Sequence, residues 1–419
     1  MGDAVNTRAW LAKHAPTNRV LVGPHIGAAI ADLAAEFPDA KVYRAPSGSM
    51  LFDWPVPNAW DCEAATLTAP GGQIVADFKR SPLDIWANSE PWREVLFRDE
   101  LIPHCTARWR FEGSYRPWEK CKGFSPSSLN DRGRYEARID SKSWPSAMQA
   151  FELVIPGDSE ESILLGAHLC HPGQVADGIG NAAILLDLAR QIEDMPRRRY
   201  TYRFLFGPEG YAAALWLKHN ARLPLAVLYC DMLLAPSPLR VQFGARPGWL
   251  NDLAVAVDAD NCRAFRSLWG NDERWWEARP WMVPTLGICR DRFPQYHTDG
   301  DNMSLADPDR WAESLAYVGR FVDALEWDRL PAMLGNGPNC LSRHGLYSSD
   351  TVTQFEALER DMDGQTRTCT LAARAGLTFG DAARHLDRLA DAGRVLLARG
   401  HRPVEFAGHP APECEERRP

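Results

Sequence analysis

The sequence predicts an α/β fold in which helices pack on an open sheet. Apolar runs typical of buried strands alternate with segments whose apolar residues recur at helical spacing. The clearest example is SILL (Ser162 to Leu165), which precedes a polar loop and the helical segment AAILLDLARQI. Because ligands bind at the carboxyl ends of strands in such sheets, the loops that follow the strands are candidate site segments.

The composition indicates a globular chain. Its 419 residues, 45% of them hydrophobic and 24% charged, are enough for two or three domains. The net charge of -8 disfavours non-specific binding to nucleic acid. No apolar run approaches the roughly 20 residues needed to cross a bilayer, and the start of the chain shows no secretory or myristoylation pattern. Ten cysteines without a CxxC pair favour reduced thiols. We therefore expect a cytoplasmic protein.

The first sixty residues are expected to form two helices and an irregular segment. Thr7 to His14 is predicted as a short helix, and Ile26 to Phe37 has its apolar residues at helical spacing. Residues 42–60 crowd prolines and aromatic residues together without a helical period. This segment is predicted to be a packed loop or an edge strand.

The loop from Gly166 to Asn181, GAHLCHPGQVADGIGN, carries the first candidate ligands. His168, His171 and Asp177 offer imidazole nitrogen and carboxylate oxygen, the donors that zinc prefers outside all-cysteine sites. The alternative is a polar loop that only caps the following helix.

Three later strands favour the metal-site interpretation. The strand at 201–206 leads to Glu209, the strand at 225–230 is followed directly by Asp231, and PTLGIC leads through a loop to His297. In a parallel sheet the carboxyl ends of strands share one edge, so these groups are expected to converge.

Residues 60–158 contain short β-like runs separated by Gly, Pro and Asn clusters, and no catalytic constellation. Their tryptophans, Trp92, Trp109, Trp118 and Trp144, are predicted to pack in the core or at its rim. The alternative is that they wall a substrate pocket.

Beyond a helix predicted from Pro308 to about Trp327, with Asp307 as N-cap, three helical segments and a two-stranded wing predict a winged helix-turn-helix. Residues 335–419 hold 11 arginines, no lysine and 12 carboxylates, so DNA binding is disfavoured and a structural or dimer-forming role is expected. The last ten residues are predicted to be disordered.

Several motifs resemble a bacterial family of unknown function with an aminopeptidase-like domain: FDWPVPNAW, ADFKRSPLDIWANSEP, GAHLCHP, YHTDGDN and RHGLY. More distantly, the chain is similar to zinc exopeptidases such as aminopeptidases and glutamate carboxypeptidase. The resemblance implies a zinc-exopeptidase-like mixed sheet flanked by helices, in a peptidase domain at 1–59 and 151–333. It also implies an inserted, mostly β domain at 60–150 and a winged helix at 334–419.

The resemblance also implies roles for individual residues. His168 matches the histidine of the exopeptidase HxD motif, and Asp177 matches the carboxylate that bridges two metals. Asp231 and His297 match the remaining metal ligands, and Glu209 matches the general base.

The sequence departs from the exopeptidase pattern at two positions. Gly210 stands where a second glutamate would bind one metal, and Cys170 stands where an aspartate would orient the first histidine. His171, Asp299 or Asp301 is proposed to replace the missing ligand. The resemblance therefore implies one or two zinc ions.

Arg290 and Tyr296 occupy positions where the resembling family has an arginine and a tyrosine. They are predicted to hold a substrate carboxylate or to support the oxyanion. The alternative is a salt bridge to a nearby aspartate. The tryptophan-rich segment 269–282 is expected to be a lid or, more simply, to pack against the inserted domain.

The predicted function is zinc-dependent hydrolysis of an amide bond in a peptide or peptide-like metabolite, with Glu209 as general base. Two alternatives remain: a non-catalytic metal-binding or regulatory protein, and a biosynthetic cyclase or transferase that uses the same metal site. Neither a nucleic-acid partner nor a membrane is expected, and self-association is left open.

Overall fold

The computed structural model describes residues 6–106, 118–335 and 337–398. The chain forms two compact units, Met1–Leu250 with Asn261–Gly319 and Asn251–Asp260 with Arg320–Pro419. The predictions for Trp109, for the second strand of the wing and for the carboxyl-terminal tail lie outside the described residues. None of the helices in the described part of the chain is long and apolar enough to cross a membrane.

The described elements alternate along much of the chain. The helices are α1 Thr7–His14, α2 Pro24–Glu36, α3 Arg98–Leu101, α4 Ile179–Glu193, α5 Tyr211–His219, α6 Trp249–Asp258, α7 Glu273–Trp276, α8 Pro308–Trp327, α9 Val352–Arg360, α10 Thr368–Ala375 and α11 Phe379–Asp391. The strands are β1 Lys41–Pro46, β2 Met50–Leu51, β3 Trp54–Pro55, β4 Ala59–Thr68, β5 Ile74–Asp77, β6 Trp92–Phe97, β7 Arg134–Trp144, β8 Ala147–Ile155, β9 Ser162–His168, β10 Thr201–Gly207, β11 Ala226–Cys230, β12 Leu239–Gln242, β13 Cys262–Arg263, β14 Thr285–Arg290, β15 Leu330–Met333 and β16 Val395–Ala398.

The largest sheet has eight strands in the order β1-β8-β10-β9-β11-β14-β12-β13. Its centre, β10, β9, β11 and β14, is parallel. Strand β8 pairs with β1 and β10 in antiparallel fashion, and β12 is antiparallel to β14 but parallel to β13. The prediction of a mixed sheet flanked by helices is confirmed. Because the four central strands run in the same direction, the loops that follow them open at one edge of the sheet.

Local sequence explains where the predicted elements begin and end. Helix α1 has the predicted bounds, and its N-cap Asn6 accepts hydrogen bonds from two backbone N–H groups of the first turn. Helix α2 begins at Pro24, two residues before the predicted start, since proline suits the first helical position. Helix α8 also has the predicted bounds, and the Asp307 side chain caps it.

The segment predicted as a packed loop or an edge strand is partly strand. Strand β1 is the edge of the large sheet, and residues 50–55 form the small β2–β3 hairpin. Along the chain, the residues between this hairpin and β8 form an antiparallel four-stranded sheet in the order β5-β4-β7-β6. Trp92 belongs to its buried core, whereas the side chains of Trp118 and Trp144 are exposed. The prediction that these tryptophans pack in the core is therefore confirmed for Trp92.

The second unit contains α9, α10 and α11. The turn before α11 has Gly376 in the left-handed region (φ 65°) and Thr378 as N-cap. Strand β16, the first strand of the predicted wing, pairs with β15. Strand β15 lies within residues 320–419 and belongs to this unit, and the domain boundary at 334 stays a prediction. The assignment as a winged helix stays a prediction.

Candidate metal centre

The first cluster forms where β9 and β11 end side by side. His168 is the last residue of β9, and Asp231 directly follows β11. The Nε2 atom of His168 lies 3.4 Å from Oδ1 of Asp177 and 3.3 Å from Oδ1 of Asp231. All three side chains are buried. The structure thus brings together one imidazole and two carboxylates from three separate segments.

Two amides orient the Asp231 carboxylate. Asn181, in the first turn of α4, donates from Nδ2 to Oδ1 of Asp231 over 3.1 Å. Asn271 donates to Oδ2 of the same carboxylate. The two amides fix the orientation of the carboxylate, whose remaining lone pairs can bind a cation.

A second cluster shares Asp177. Oδ2 of Asp177 lies 2.8 Å from Nε2 of His297, and its Oδ1 lies 3.0 Å from Nδ1 of His171. Nε2 of His171 lies 3.3 Å from Oε2 of Glu209. The ring of Tyr296 stacks on the His297 ring at a centroid distance of 3.7 Å. Each predicted ligand and the predicted base therefore lies in one group around Asp177.

The donor set fits a divalent metal. His168 Nε2 is buried without a hydrogen bond of acceptable geometry, although two carboxylate oxygens face it. Burial opposes protonation of His168, yet the Asp231 and Asp177 carboxylates raise its pKa well above the ordinary value. The two carboxylates thus favour a positive charge beside His168 Nε2. Two groups have ligand atoms close enough to share one ion: His168, Asp177 and Asp231, and His168, Cys170, His171 and Glu209.

Glu209 lies after β10 and is also buried. Burial, reinforced by the Asp231 and Asp272 carboxylates, raises the pKa of Glu209 well above its ordinary value, and the Arg274 guanidinium acts in the opposite direction. The side chain therefore sits in an environment that favours accepting a proton.

A buried arginine holds the backbone of the first site loop. The guanidinium of Arg19, which is fully buried, donates to the carbonyl oxygens of Leu169 at 2.9 Å, His171 at 2.9 Å and Gln174 at 2.7 Å. His171 itself is in the left-handed region (φ 81°). Sequence reasoning missed Arg19, because no local pattern connects it to a loop about 150 residues away.

Asp301 holds a later part of the same loop by accepting hydrogen bonds from backbone N–H groups of the loop. Its carboxylate accepts hydrogen bonds from the backbone of Val175 at 3.1 Å, Ala176 at 2.7 Å and Asp177 at 2.9 Å. Among the described residues, Asp301 belongs to neither metal-binding group, so its observed role is to hold the loop and its replacement of the missing ligand stays a prediction. Asp299 is exposed and belongs to neither metal-binding group. His171 is the proposed substitute that the structure places beside Asp177.

Position 210 cannot easily hold a larger residue. Gly210 has φ 72°, and its N–H donates to Asp272. A Cβ atom at this position would lie 2.8 Å from Cζ3 of Trp54. The Trp54 indole therefore occupies the space that a side chain at position 210 would need.

Cys170 is buried behind His168 and does not line the cavity next to the site. Its Sγ is 3.7 Å from Nδ1 of His168 and accepts the backbone N–H of Glu209 at 3.3 Å. Burial opposes ionisation, but the imidazoles of His171 and His168 bring the pKa of Cys170 down to about 5. The sulfur thus contacts His168 through Nδ1, while Nε2 of the same ring faces Asp177 and Asp231.

The site opens into a cavity of about 690 Å³. One part of its lining is polar and includes His171, Asp177, Glu209 and Asp231. The aromatic part of the lining consists of Trp54, Trp118, Tyr211, Trp269 and Tyr296. A cavity of this size suits a small molecule or a short peptide.

The tryptophan-rich segment does not pack as predicted. Trp275 lies against Trp54 of the β2–β3 hairpin at a ring distance of 5.3 Å, and Trp276 lies against Trp216 of α5 at 5.4 Å. The expected packing on the inserted domain is wrong for these two residues. Trp269, at the start of the segment, lines the cavity.

The prediction for Arg290 also requires correction. Its guanidinium is buried and donates to the carbonyl oxygens of Leu233 at 2.9 Å and Ser237 at 2.6 Å, to Ser314 and, as a salt bridge, to Glu313. Arg290 therefore braces the fold and does not face the substrate. Tyr296, by contrast, lines the cavity.

Comparison with known proteins agrees with this architecture. The family described as Domain of unknown function (DUF4910) matches residues 8–227. A protein of Clostridium acetobutylicum, whose description names polysaccharide biosynthesis and an aminopeptidase-like domain, is 26% identical over 372 residues, which are 81% of this chain and 84% of that protein.

Two solved structures show the same fold. A crystal structure from Clostridium acetobutylicum whose description names a peptidase has a TM-score of 0.77 and 22% identity, and covers 94% of this chain and 96% of its own. The Peptidase M28 precursor from Shewanella amazonensis has a TM-score of 0.53 and 14% identity, and covers 76% of this chain and 91% of its own. The central architecture is therefore that of a peptidase fold.

Proposed function

Because this chain belongs to the DUF4910 family and has a peptidase fold, we propose that it is a zinc-dependent hydrolase of amide bonds, acting like an aminopeptidase on a peptide or peptide-like metabolite. One observation carries the proposal: His168 lies within 3.4 Å of both Asp177 and Asp231, and these two carboxylates line one cavity together with Glu209. A fold does not decide a reaction by itself, so the proposal depends on this cluster.

The first metal position would use His168, Asp177 and Asp231, and a second would use Asp177 with His297 and His171. These nitrogen and oxygen donors are the ones that zinc prefers in hydrolytic sites. Bound there, the metal would polarise the scissile carbonyl and lower the pKa of a water molecule.

Glu209 would act as the general base. Its carboxylate lines the cavity beside His171, within reach of a water directed at the substrate carbonyl. It would take a proton from that water as the new carbon–oxygen bond forms, and then give the proton to the amine nitrogen as the carbon–nitrogen bond breaks. Its buried position, which raises its pKa, makes it a stronger base for the first half of this transfer.

Tyr296 would stabilise the negative charge that develops on the carbonyl oxygen. Burial, reinforced by the Asp177 carboxylate, raises the pKa of its hydroxyl, so the proton stays on the oxygen and is free to be donated. Stacking on His297 fixes the ring at the edge of the cavity.

A cyclase or transferase at the same site is the second candidate. The observation that favours it is Gly210, where packing of Trp54 excludes a second carboxylate ligand. In that reaction an amine of the substrate would attack the amide carbonyl in place of water. As the new carbon–nitrogen bond forms, Glu209 would pass the amine proton to the amide nitrogen, which would leave as ammonia when the old carbon–nitrogen bond breaks.

The test is Glu209→Gln, assayed on aminoacyl anilides, dipeptides and a peptide with amino-terminal glutamine. We expect at least a hundredfold loss of hydrolysis with unchanged zinc content, since glutamine cannot accept the proton. Glu160→Gln, an exposed carboxylate, is the control and should match the wild type. Full hydrolysis by Glu209→Gln would falsify the assignment of the base. Release of ammonia from the glutamine peptide, without hydrolysis of the others, would favour the cyclase.

A further inference from the structure

Arg274 presents a positive charge to the cavity that the proposed chemistry does not use. It lies in the short helix α7 and lines the cavity, with its guanidinium carbon 5.7 Å from the centre of the Trp54 ring. Within the described part of the chain, the guanidinium makes neither a hydrogen bond nor an ion pair. Its neighbour Glu273 is instead bound to Arg266, whose Nε lies 2.9 Å from the carboxylate.

Two other arginines in this region have a structural role, because protein acceptors bind their guanidinium groups. The guanidinium of Arg290 is saturated by backbone carbonyls, a hydroxyl and a carboxylate. Arg292 also lies over an indole, that of Trp269 at 5.8 Å, but it donates to the carbonyl oxygen of Leu268 and does not line the cavity. Arg274 differs from both, because its donors are directed at no acceptor among the described residues.

Charge in the cavity points to the same conclusion. Arg274 is the only lysine or arginine among the described lining residues, and four carboxylates, Asp53, Asp177, Glu209 and Asp231, lie in the same lining. Within the described part of the chain, Asp53 forms no ion pair with Arg274. Under the proposed function, Asp177 and Asp231 are metal ligands and Glu209 is the base, so these groups have other partners when the site is loaded. The guanidinium then remains available for the substrate.

We propose that Arg274 binds a carboxylate of the substrate, so that the site selects short peptides with an acidic group close to the scissile amide. This inference rests on the proposed function and deepens it. The planar fork of a guanidinium matches a carboxylate through two parallel hydrogen bonds, and contact with the Trp54 ring limits the rotation of that fork. The cavity volume of about 690 Å³ favours a di- or tripeptide over a folded protein.

The carboxylate has two sources in a short peptide, the carboxyl terminus and an acidic side chain. We would compare kcat/KM for leucylglycine, its neutral amide, and leucyl-aspartic α-amide, which carries only the side-chain carboxylate. The wild type should prefer one of the two charged peptides over the neutral amide by about ten- to one-hundredfold, the effect of one charge-assisted contact. The preferred peptide identifies the source.

The variants Arg274→Gln and Arg274→Lys test whether the preference for a charged peptide depends on Arg274. The glutamine variant should lose it, and the lysine variant should keep a part of it, since lysine retains the charge but not the fork. Arg292→Gln is the matched control and should keep the full preference, because that arginine does not line the cavity. Equal kcat/KM for charged and neutral peptides in the wild type, or equal loss in both glutamine variants, would overturn the assignment.

A binding measurement separates this inference from the proposed hydrolysis. Isothermal titration of zinc-loaded Glu209→Gln with the same three peptides measures the preference without turnover. A tenfold or greater preference for a charged peptide, abolished by adding Arg274→Gln, supports the assignment even if the wild type hydrolyses none of them. Equal binding of all three, or binding of none, contradicts it whatever the hydrolytic activity.

Discussion

Replacing Asp301 with asparagine should weaken metal binding without changing a proposed ligand. Oδ1 of Asp301 accepts the N–H groups of Val175 and Ala176, and Oδ2 accepts the N–H of Asp177 at 2.9 Å. Asparagine has the same shape and keeps one oxygen for the first two donors. Its amide group, however, faces the N–H of Asp177 with a donor, so that bond is lost and two donors oppose each other.

The size of the effect follows from this one bond. A hydrogen bond to a charged group contributes about 1.5–3 kcal/mol, which corresponds to roughly ten- to one-hundredfold in a binding constant. The same range is typical of residues that orient a metal ligand. We therefore expect the zinc affinity of Asp301→Asn to fall by about ten- to one-hundredfold. Burial, reinforced by Asp177, raises the pKa of Asp301 to about 7. The zinc affinity should therefore be measured at about pH 8.5, where the Asp301 carboxyl group is ionised.

The assay is competition for zinc against a chromophoric chelator, with Asp299→Asn as the matched control. Asp299 lies two residues away and is exposed, so its substitution removes the same charge without affecting the loop. A zinc affinity of Asp301→Asn within threefold of the control would refute the argument that these N–H contacts position Asp177. Unfolding of the metal-free variant by urea, compared with the wild type, shows whether the loss is confined to the loop.

Three further predictions concern the site and the second unit. Gly210→Glu should not increase the zinc content and should lower stability by about 1–3 kcal/mol, because Trp54 fills the space and φ is positive; metal analysis and urea unfolding check this. Asp328→Asn should destabilise the second unit by about 3–5 kcal/mol, since it breaks a buried ion pair with Arg367. Asp387→Asn, at a pair whose carboxylate is 46% exposed, should cost at most about 1 kcal/mol, and calorimetric unfolding of both variants checks the difference. Removal of zinc with a chelator should lower the unfolding midpoint, and at a hundredfold excess over Kd the stabilisation lost is about 2.7 kcal/mol; an unchanged midpoint would contradict a folded-state metal site.

The sequence was informative wherever chemistry and local periodicity coincide. Strands β9, β10 and β11 could be recognised because each is an apolar run ended by a polar group, and their parallel pairing follows from the helices between them. Once the strands are parallel, His168, Glu209 and Asp231 must lie at one edge of the sheet. The convergence of the site was therefore predictable without coordinates.

The supports of the site were not predictable in the same way. Arg19 and Asp301 bind backbone atoms of the loop. Every residue type has the same backbone carbonyl, and nearly every type the same N–H, so the loop sequence does not indicate which side chain binds it. Arg290 was misassigned because its nearness to the site in sequence suggested a substrate contact, whereas its side chain turns into the fold. Arg274 was overlooked because it follows no strand and belongs to no motif, although it lines the cavity.

The unusual conformation of His171 and the loss of a ligand at position 210 belong to one arrangement. A non-glycine residue with φ 81° costs of order 1–3 kcal/mol and persists only where its surroundings determine it. Here Arg19 binds the His171 carbonyl at 2.9 Å, and the ring then lies with Nδ1 3.0 Å from Oδ1 of Asp177. The strain thus places an imidazole beside the shared carboxylate, while Trp54 forms an aromatic wall over Gly210. The other oxygen of Asp177 contacts His297, so this one carboxylate has an imidazole on each side, and under the proposed function these three side chains would hold a second zinc.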